Sequence, residues 1–166
     1  MKKIIDVSIG EVKSGSDQLI LTSSGIGSCI AVVAYDCSKR NGVLAHVMLP
    51  GKSEETGPQK TKYACDAIDE LLRQLVYLGT TEGSIEVCLV GGGNVLKEND
   101  CTICRDNLFS IENELFKKDI PIRAQAVGGT KRRTATLDIG KGVVFYTEGD
   151  SDEKILWKAE FKTKSK

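Results

Sequence analysis

Two apolar runs of strand length, Cys29 to Tyr35 and Val43 to Leu49, lie on either side of Ser38-Lys39-Arg40-Asn41-Gly42. No other feature constrains the fold as strongly. The first run, Cys29-Ile30-Ala31-Val32-Val33-Ala34-Tyr35, is rich in β-branched residues and shows no polar alternation, the mark of a buried-type strand. Asn-Gly is a strong hairpin signal. The second run is therefore expected to return antiparallel beside the first and to close at Pro50-Gly51. A pair of strands this apolar needs cover.

The rest of the chain supplies it. Tyr63 to Leu78 reads as a helix with Ala64, Ala67, Ile68, Leu71, Leu72, Leu75 and Val76 on one apolar face. Gly79 supplies the stop. A second helix is expected over about Arg105 to Lys118, with Leu108, Ile111, Leu115 and Phe116 inward. Further strands are expected at Ile5 to Ile9, Leu19 to Thr22, Ile85 to Val90 and Pro121 to Val127. Thr134 to Ile139 and Val143 to Thr147 form a last hairpin around Gly140-Lys141-Gly142. Ser23-Ser24-Gly25-Ile26-Gly27-Ser28 reads as a loop, and Gly51 to Pro58 as another. Ile155, Trp157, Ala159 and Phe161 share one side if that segment is extended, whether it docks as an edge strand or frays. The fold class expected is α+β: a layered sandwich of mixed, largely antiparallel β-sheets with two main amphipathic helices. One domain over residues 1–161 is expected, followed by a basic, disordered tail at 162–166.

Composition excludes several functions. Among 166 residues, 23 Lys+Arg balance 23 Asp+Glu, and there is one histidine. Zero net charge argues against polyanion binding, so no nucleic-acid partner is expected. No apolar run approaches the ~20 residues of a membrane span, so no membrane insertion is expected. A single histidine rules out sites built from two or three of them. Asp6 and Glu11 interrupt the N-terminal segment, which is expected not to act as a signal peptide. The expected location is cytoplasmic, with all six cysteines as thiols.

The candidate chemistry centres on Cys29 and His46. Cys29 follows Gly25-Ile26-Gly27-Ser28, a loop able to aim several backbone N–H groups at one point, as an oxyanion site requires. A thiol at the end of such a loop stands where a nucleophile would. Its proton needs an acceptor, and the chain's only imidazole lies seventeen residues on, on the next strand. The antiparallel turn folds His46 back toward the start of the Cys29 strand. Ser23 and Thr22 precede the loop, and a hydroxyl from either would orient the ring. The bland alternative is a buried structural cysteine and a satisfied core histidine.

Gly25-Ile26-Gly27-Ser28-Cys29, Gly42-Val43-Leu44-Ala45-His46-Val47-Met48-Leu49-Pro50 and Lys62-Tyr63-Ala64 together resemble the CheD family, the chemoreceptor glutamine deamidases. Gly91-Gly92-Gly93, Asn107 and Gly128-Gly129 with Arg133 fall where that family has its later motifs, so the resemblance covers about residues 3–148. It implies hydrolysis of receptor glutamine side chains to glutamate with release of ammonia, and no cofactor or metal. Carried over by motif, Cys29 is the nucleophile and His46 the base and then the acid. Gly27, Ser28 and Thr22 contact substrate. The family's third member, usually threonine, falls at Ser23, leaving the orienting role between Ser23 and Thr22. Cys104, Asp106 and Ala126 also depart from the family pattern. The partners implied are the cytoplasmic helical domains of chemoreceptors and a CheC-type phosphatase. The alternative function is a binding module that docks such a phosphatase with weak or no turnover.

Three other signals carry less. Cys101-Thr102-Ile103-Cys104 reads as a redox pair, as half a zinc site, or as two thiols at a helix start. Gly91-Gly92-Gly93-Asn94 lacks the phosphate-binding patterns and reads as close packing beside the site. Lys131-Arg132-Arg133 reads as a solvated turn or a grip on an acidic partner.

Overall fold

A computed structural model describes residues 2–161; the tail expected at 162–166 lies outside the described residues. Among the described residues there are ten strands and two α-helices. In chain order they are β1 Lys3–Asp6, β2 Val12–Ser16, β3 Leu19–Ile26, β4 Ile30–Asp36, β5 Asn41–Val47, α1 Ala64–Tyr77, β6 Ile85–Gly91, α2 Thr102–Lys117, β7 Ile122–Val127, β8 Arg133–Asp138, β9 Val143–Glu148 and β10 Lys154–Lys158. One sheet has the order β2-β5-β4-β6-β7 and the other β1-β3-β8-β9-β10. Each is antiparallel except for one pair, β6 with β7 and β1 with β3. The α+β sandwich of mixed, largely antiparallel sheets is therefore the fold observed.

The apolar hairpin is the middle layer. Ile30, Val32 and Ala34 with Val43, Ala45 and Val47 meet Ala67, Ile68, Leu71 and Leu75 of α1 and Ile111 and Leu115 of α2. The alternate residues Ala31, Val33, Tyr35 and Leu44 meet Leu21, Ile26, Ala135, Leu137 and Val144 of the second sheet. Every residue of β4 and β5 is buried. Helices cover one face and a sheet covers the other, which is why these strands carry no polar alternation. Each large side chain buried in this way contributes roughly 1.5–3 kcal/mol.

The structure corrects the turn. Asn41 and Gly42 belong to β5 and pair with Asp36 and Tyr35. Residues Cys37 to Arg40 make the reversal, with Arg40 left-handed at φ 53°. Asp36 Oδ1 accepts from the backbone N–H and the hydroxyl of Ser38 at 2.9 and 2.7 Å. Gly42 serves packing instead, since a Cβ there would stand 2.6 Å from Leu137 Cδ2 of the facing sheet.

Other expectations also shift. The first strand ends at Asp6, and Ile9 is exposed. β3 runs on through Ser23 to Ile26, a stretch expected as loop, and its register against β8 slips between those two residues. Small polar residues hide this strand because its partners, not its own pattern, hold it. β2 was not anticipated; its Val-Lys-Ser-Gly-Ser sequence has no apolar alternation, and it survives by pairing with β5. Val76 and Phe116, expected inward, are exposed. Each lies about 100° around its helix from a fully buried leucine, Leu75 or Leu115, and so past the edge of the apolar stripe. β10 docks as an edge strand on β9, with a slip between Ile155 and Trp157. That slip leaves Ile155 exposed while Leu156 and Trp157 pack on the core between the sheets. Trp157 and Phe161 stand edge-on to Tyr35 at 6.1 and 6.4 Å.

Candidate active site

The site forms where the ends of β3 and β5 meet the start of β4. Ala31 pairs with His46 across the β4–β5 ladder, so Cys29 and His46 occupy diagonal positions. Both face the second sheet: Cys29 packs on the core between the sheets, and His46 reaches Ser23 of β3.

The environment of His46 determines which of its nitrogens is bare. Ser23 Oγ lies 2.6 Å from the Val7 carbonyl oxygen and 2.8 Å from His46 Nδ1. A hydroxyl has one proton, and a carbonyl oxygen can only accept. Ser23 therefore donates to Val7, and Nδ1–H donates to Ser23. This leaves Nε2 unprotonated. It is buried and has no hydrogen-bond partner. Burial pushes the imidazole below its ordinary 6.5, against the opposing pull of the Val7 carbonyl and the Asp6 charge. At neutral pH the ring is thus a neutral base with a free lone pair.

Thr22, the other hydroxyl considered, turns away. Its Oγ1 lies 3.0 Å from Thr136 Oγ1 within the second sheet. Strand parity separates the two hydroxyls in position: on β3, Ser23 points between the sheets and its neighbour does not.

The Cys29 loop is held by its carbonyls. Gly27 O accepts from Gly93 N–H and Cys29 O from Gly92 N–H. Ser28 O accepts from Asn107 Nδ2 at 3.0 Å, and the same amide donates to Met48 O at 3.1 Å. The Ser28 N–H donates to no acceptor among the described residues, and the Cys29 N–H turns toward its own Sγ. Two adjacent donors beside a thiol suit a developing oxyanion. Gly91 makes the close approach possible: at φ 131°, any Cβ would land against Cys29 O. The glycine run packs beside the site as its lack of a phosphate-binding pattern suggested.

Cys29 opens onto a cavity of about 280 Å³ shared with Gly27, Ser28, Asn94, Leu96 and Cys101. His46 opens onto a neighbouring groove with Val7 and Ser24. No hydrogen bond joins Cys29 Sγ to His46 in this structure. Burial raises the Cys29 thiol above its ordinary value, partly offset by its own backbone N–H. The resting pair is a thiol and a neutral imidazole, not a preformed ion pair.

Two expectations about other residues change. Cys101 and Cys104 are joined in a disulfide, so the expectation of six thiols fails at this pair. The first turn of α2 brings their Cα atoms to 5.4 Å, within disulfide reach. Arg133 is buried, not part of a solvated basic turn. It donates to Gly91 O at 3.2 Å and Gly128 O at 2.7 Å, and it pairs with Glu148 at 3.0 Å. Lys131 and Arg132 are exposed. Asn107 had one readable signal: it is a polar residue four positions before Ile111, on the buried stripe of α2. The Val7 carbonyl had none. Among the described residues no cluster of three or more His, Cys, Asp or Glu side chains could hold a metal ion. No helix of the described residues is long and apolar enough to cross a membrane.

Fold and site define an α+β sandwich that carries a loop cysteine and a hydroxyl-bonded histidine between its sheets. The chain belongs to the CheD family: the model described as CheD chemotactic sensory transduction matches residues 48–148. That stretch leaves Cys29 and His46 outside, but similarity to whole relatives extends over both ends. A protein of Chlorobium luteolum is 40% identical over 151 residues, covering 89% of this chain and 74% of its own. One from Methanosarcina mazei is 35% identical, covering 92% and 68%. One from Methanococcus vannielii is 31% identical, covering 92% and 97%. All three are named probable chemoreceptor glutamine deamidases of the CheD type.

Proposed function

We propose that the protein is a protein-glutamine deamidase of chemotaxis. It hydrolyses glutamine side chains on the cytoplasmic helical domains of chemoreceptors to glutamate, works in the cytoplasm and needs no cofactor. The names of its relatives supply the substrate class. The observation that carries the chemistry is the bare, buried Nε2 of His46, its tautomer set by Ser23 and Val7.

Diagonal positions on one sheet face are within side-chain reach, and catalytic contacts often tighten only when substrate is bound. In the proposed reaction Cys29 Sγ attacks the carboxamide carbon while His46 Nε2 takes the thiol proton. The oxyanion settles on the N–H groups of Ser28 and Cys29, with Gly27 shaping the loop. Collapse expels ammonia, which takes the proton from His46, and leaves a thioester on Cys29. Water, deprotonated by His46, then releases glutamate. Neutral partners suit this order, because the proton moves during attack and not before it. Ser23 acts as a positioning residue. Thr22 faces Thr136 and has no part in these steps.

The test is mass spectrometry of receptor cytoplasmic fragments after incubation with the protein. Glutamine-to-glutamate conversion is expected, abolished by Cys29→Ala and reduced roughly 10²–10⁴-fold by His46→Gln. Wild-type protein that converts nothing ends the enzyme reading. The missing hydrogen bond between Cys29 and His46 favours one alternative, a module that docks a CheC-type phosphatase at the Cys29 cavity. Capture of such a phosphatase without any conversion would select it.

A further inference from the structure

The wall of the Cys29 cavity holds a second piece of sulfur chemistry. Cys101 is half-buried and lines that cavity, while its bonded partner Cys104 is 7% exposed. Cys104 Sγ lies 3.5 Å from Gly93 O, and Gly93 N–H holds Gly27 O. Three residues beyond Cys104, Asn107 holds Ser28 O. The bridge thus packs against one neighbour of the Cys29 loop and sits on the helix that supplies another. It closes only four residues, and such a short loop restrains the unfolded chain less than a long-range link does. Overall stability therefore gives it little purpose.

One accessible sulfur bonded to one buried sulfur is the arrangement that thiol–disulfide exchange uses. We infer that Cys101 and Cys104 form a redox-active dithiol/disulfide site that exchanges with small thiols and disulfides, and that its state controls access to Cys29. In the reducing direction a thiolate attacks Cys101 Sγ, the Cys101–Cys104 bond breaks, and Cys104 leaves with the electron pair and takes a proton. A second thiolate attacks the small-molecule sulfur of the mixed disulfide and releases Cys101. The sum is protein disulfide plus two thiols giving protein dithiol plus one small disulfide. Reduction frees the segment from Asn94 to Cys101 that walls the cavity, and so opens Cys29. The bearing of this on turnover rests on the proposed role of Cys29; the exchange itself does not.

The full chain is equilibrated in glutathione buffers from reduced to oxidised, trapped with a thiol reagent and mapped by mass spectrometry. Cys101 and Cys104 are expected to interconvert as a pair while the other cysteines stay thiols. Cys29 is expected to alkylate several-fold faster in the reduced protein. The double variant Cys101→Ser with Cys104→Ser is expected to keep the faster rate in both buffers. A pair that never bridges in the most oxidising buffer overturns the inference. So does a Cys29 rate that is equal or slower after reduction. Absence of glutamine conversion in both buffers, with the two alkylation rates still different, would sink the deamidase reading and leave this inference standing.

Discussion

At the residue scale, one proton decides what His46 can do. The Ser23 hydroxyl gives its hydrogen to Val7 and so accepts from Nδ1. Ser23→Ala removes that acceptor and frees the ring to turn. Turnover is expected to fall about 10–100-fold, the scale on which orienting partners of functional imidazoles act. Ser23→Thr keeps the hydroxyl in a stiffer side chain and is expected to restore the rate, which a purely structural role would not require. A second expectation concerns pH. Burial holds the folded His46 below 6.5, so the unfolded chain takes up this proton first. The contribution to stability is full above 6.5 and is lost as pH falls through that value toward the lower folded one. Urea midpoints measured about one unit above and one below should show the drop, and His46→Gln should reduce it. The acid limb of kcat/KM should also lie below 6.5. From the sequence, Cys29 and His46 were legible as a candidate pair because a glycine loop and a lone imidazole stand out. The choice between Ser23 and Thr22 was not, since adjacent residues on a strand differ only in which face they meet.

At the element scale, the end of β6 positions Cys29. Gly91 backs directly onto Cys29 O and Gly92 N–H donates to it, and nothing larger than hydrogen fits at Gly91. Gly91→Ala combines a left-handed backbone with a clash against backbone, and is expected to cost at least about 2 kcal/mol in urea unfolding. Gly83→Ala, with open space around its Cβ, should stay within about 0.5 kcal/mol and serves as the control. Elements with a strong pattern of their own were legible: α1 from its apolar spacing, β4 and β5 from unbroken apolar runs. Elements that exist through their neighbours were not. β2 and the second half of β3 are polar and small, and only ladder partners make them strands.

At the scale of the whole molecule, Arg133 ties the two sheets together. From β8 it reaches Gly91 O at the end of β6, Gly128 O after β7 and Glu148 on β9. Arg133→Met keeps much of the stem but leaves those carbonyls and the carboxylate without their donor. A loss of roughly 2–4 kcal/mol is expected in urea unfolding. Because Gly91 O lies next to the residues that hold Cys29, turnover should fall in protein that remains folded. Within Lys131-Arg132-Arg133 the sequence shows three similar cations. The fold buries one and exposes two, because strand β8 begins at the third.

By itself the sequence determined the apolar hairpin and the two amphipathic helices, since each is written in local spacing and composition. The tertiary structure alone decided which hydroxyl holds His46, which nitrogen is left bare and where Arg133 points. Those outcomes depend on strand parity and register between segments far apart in the chain. A shift of one residue in either sheet would exchange the faces and dismantle the site without altering any local pattern.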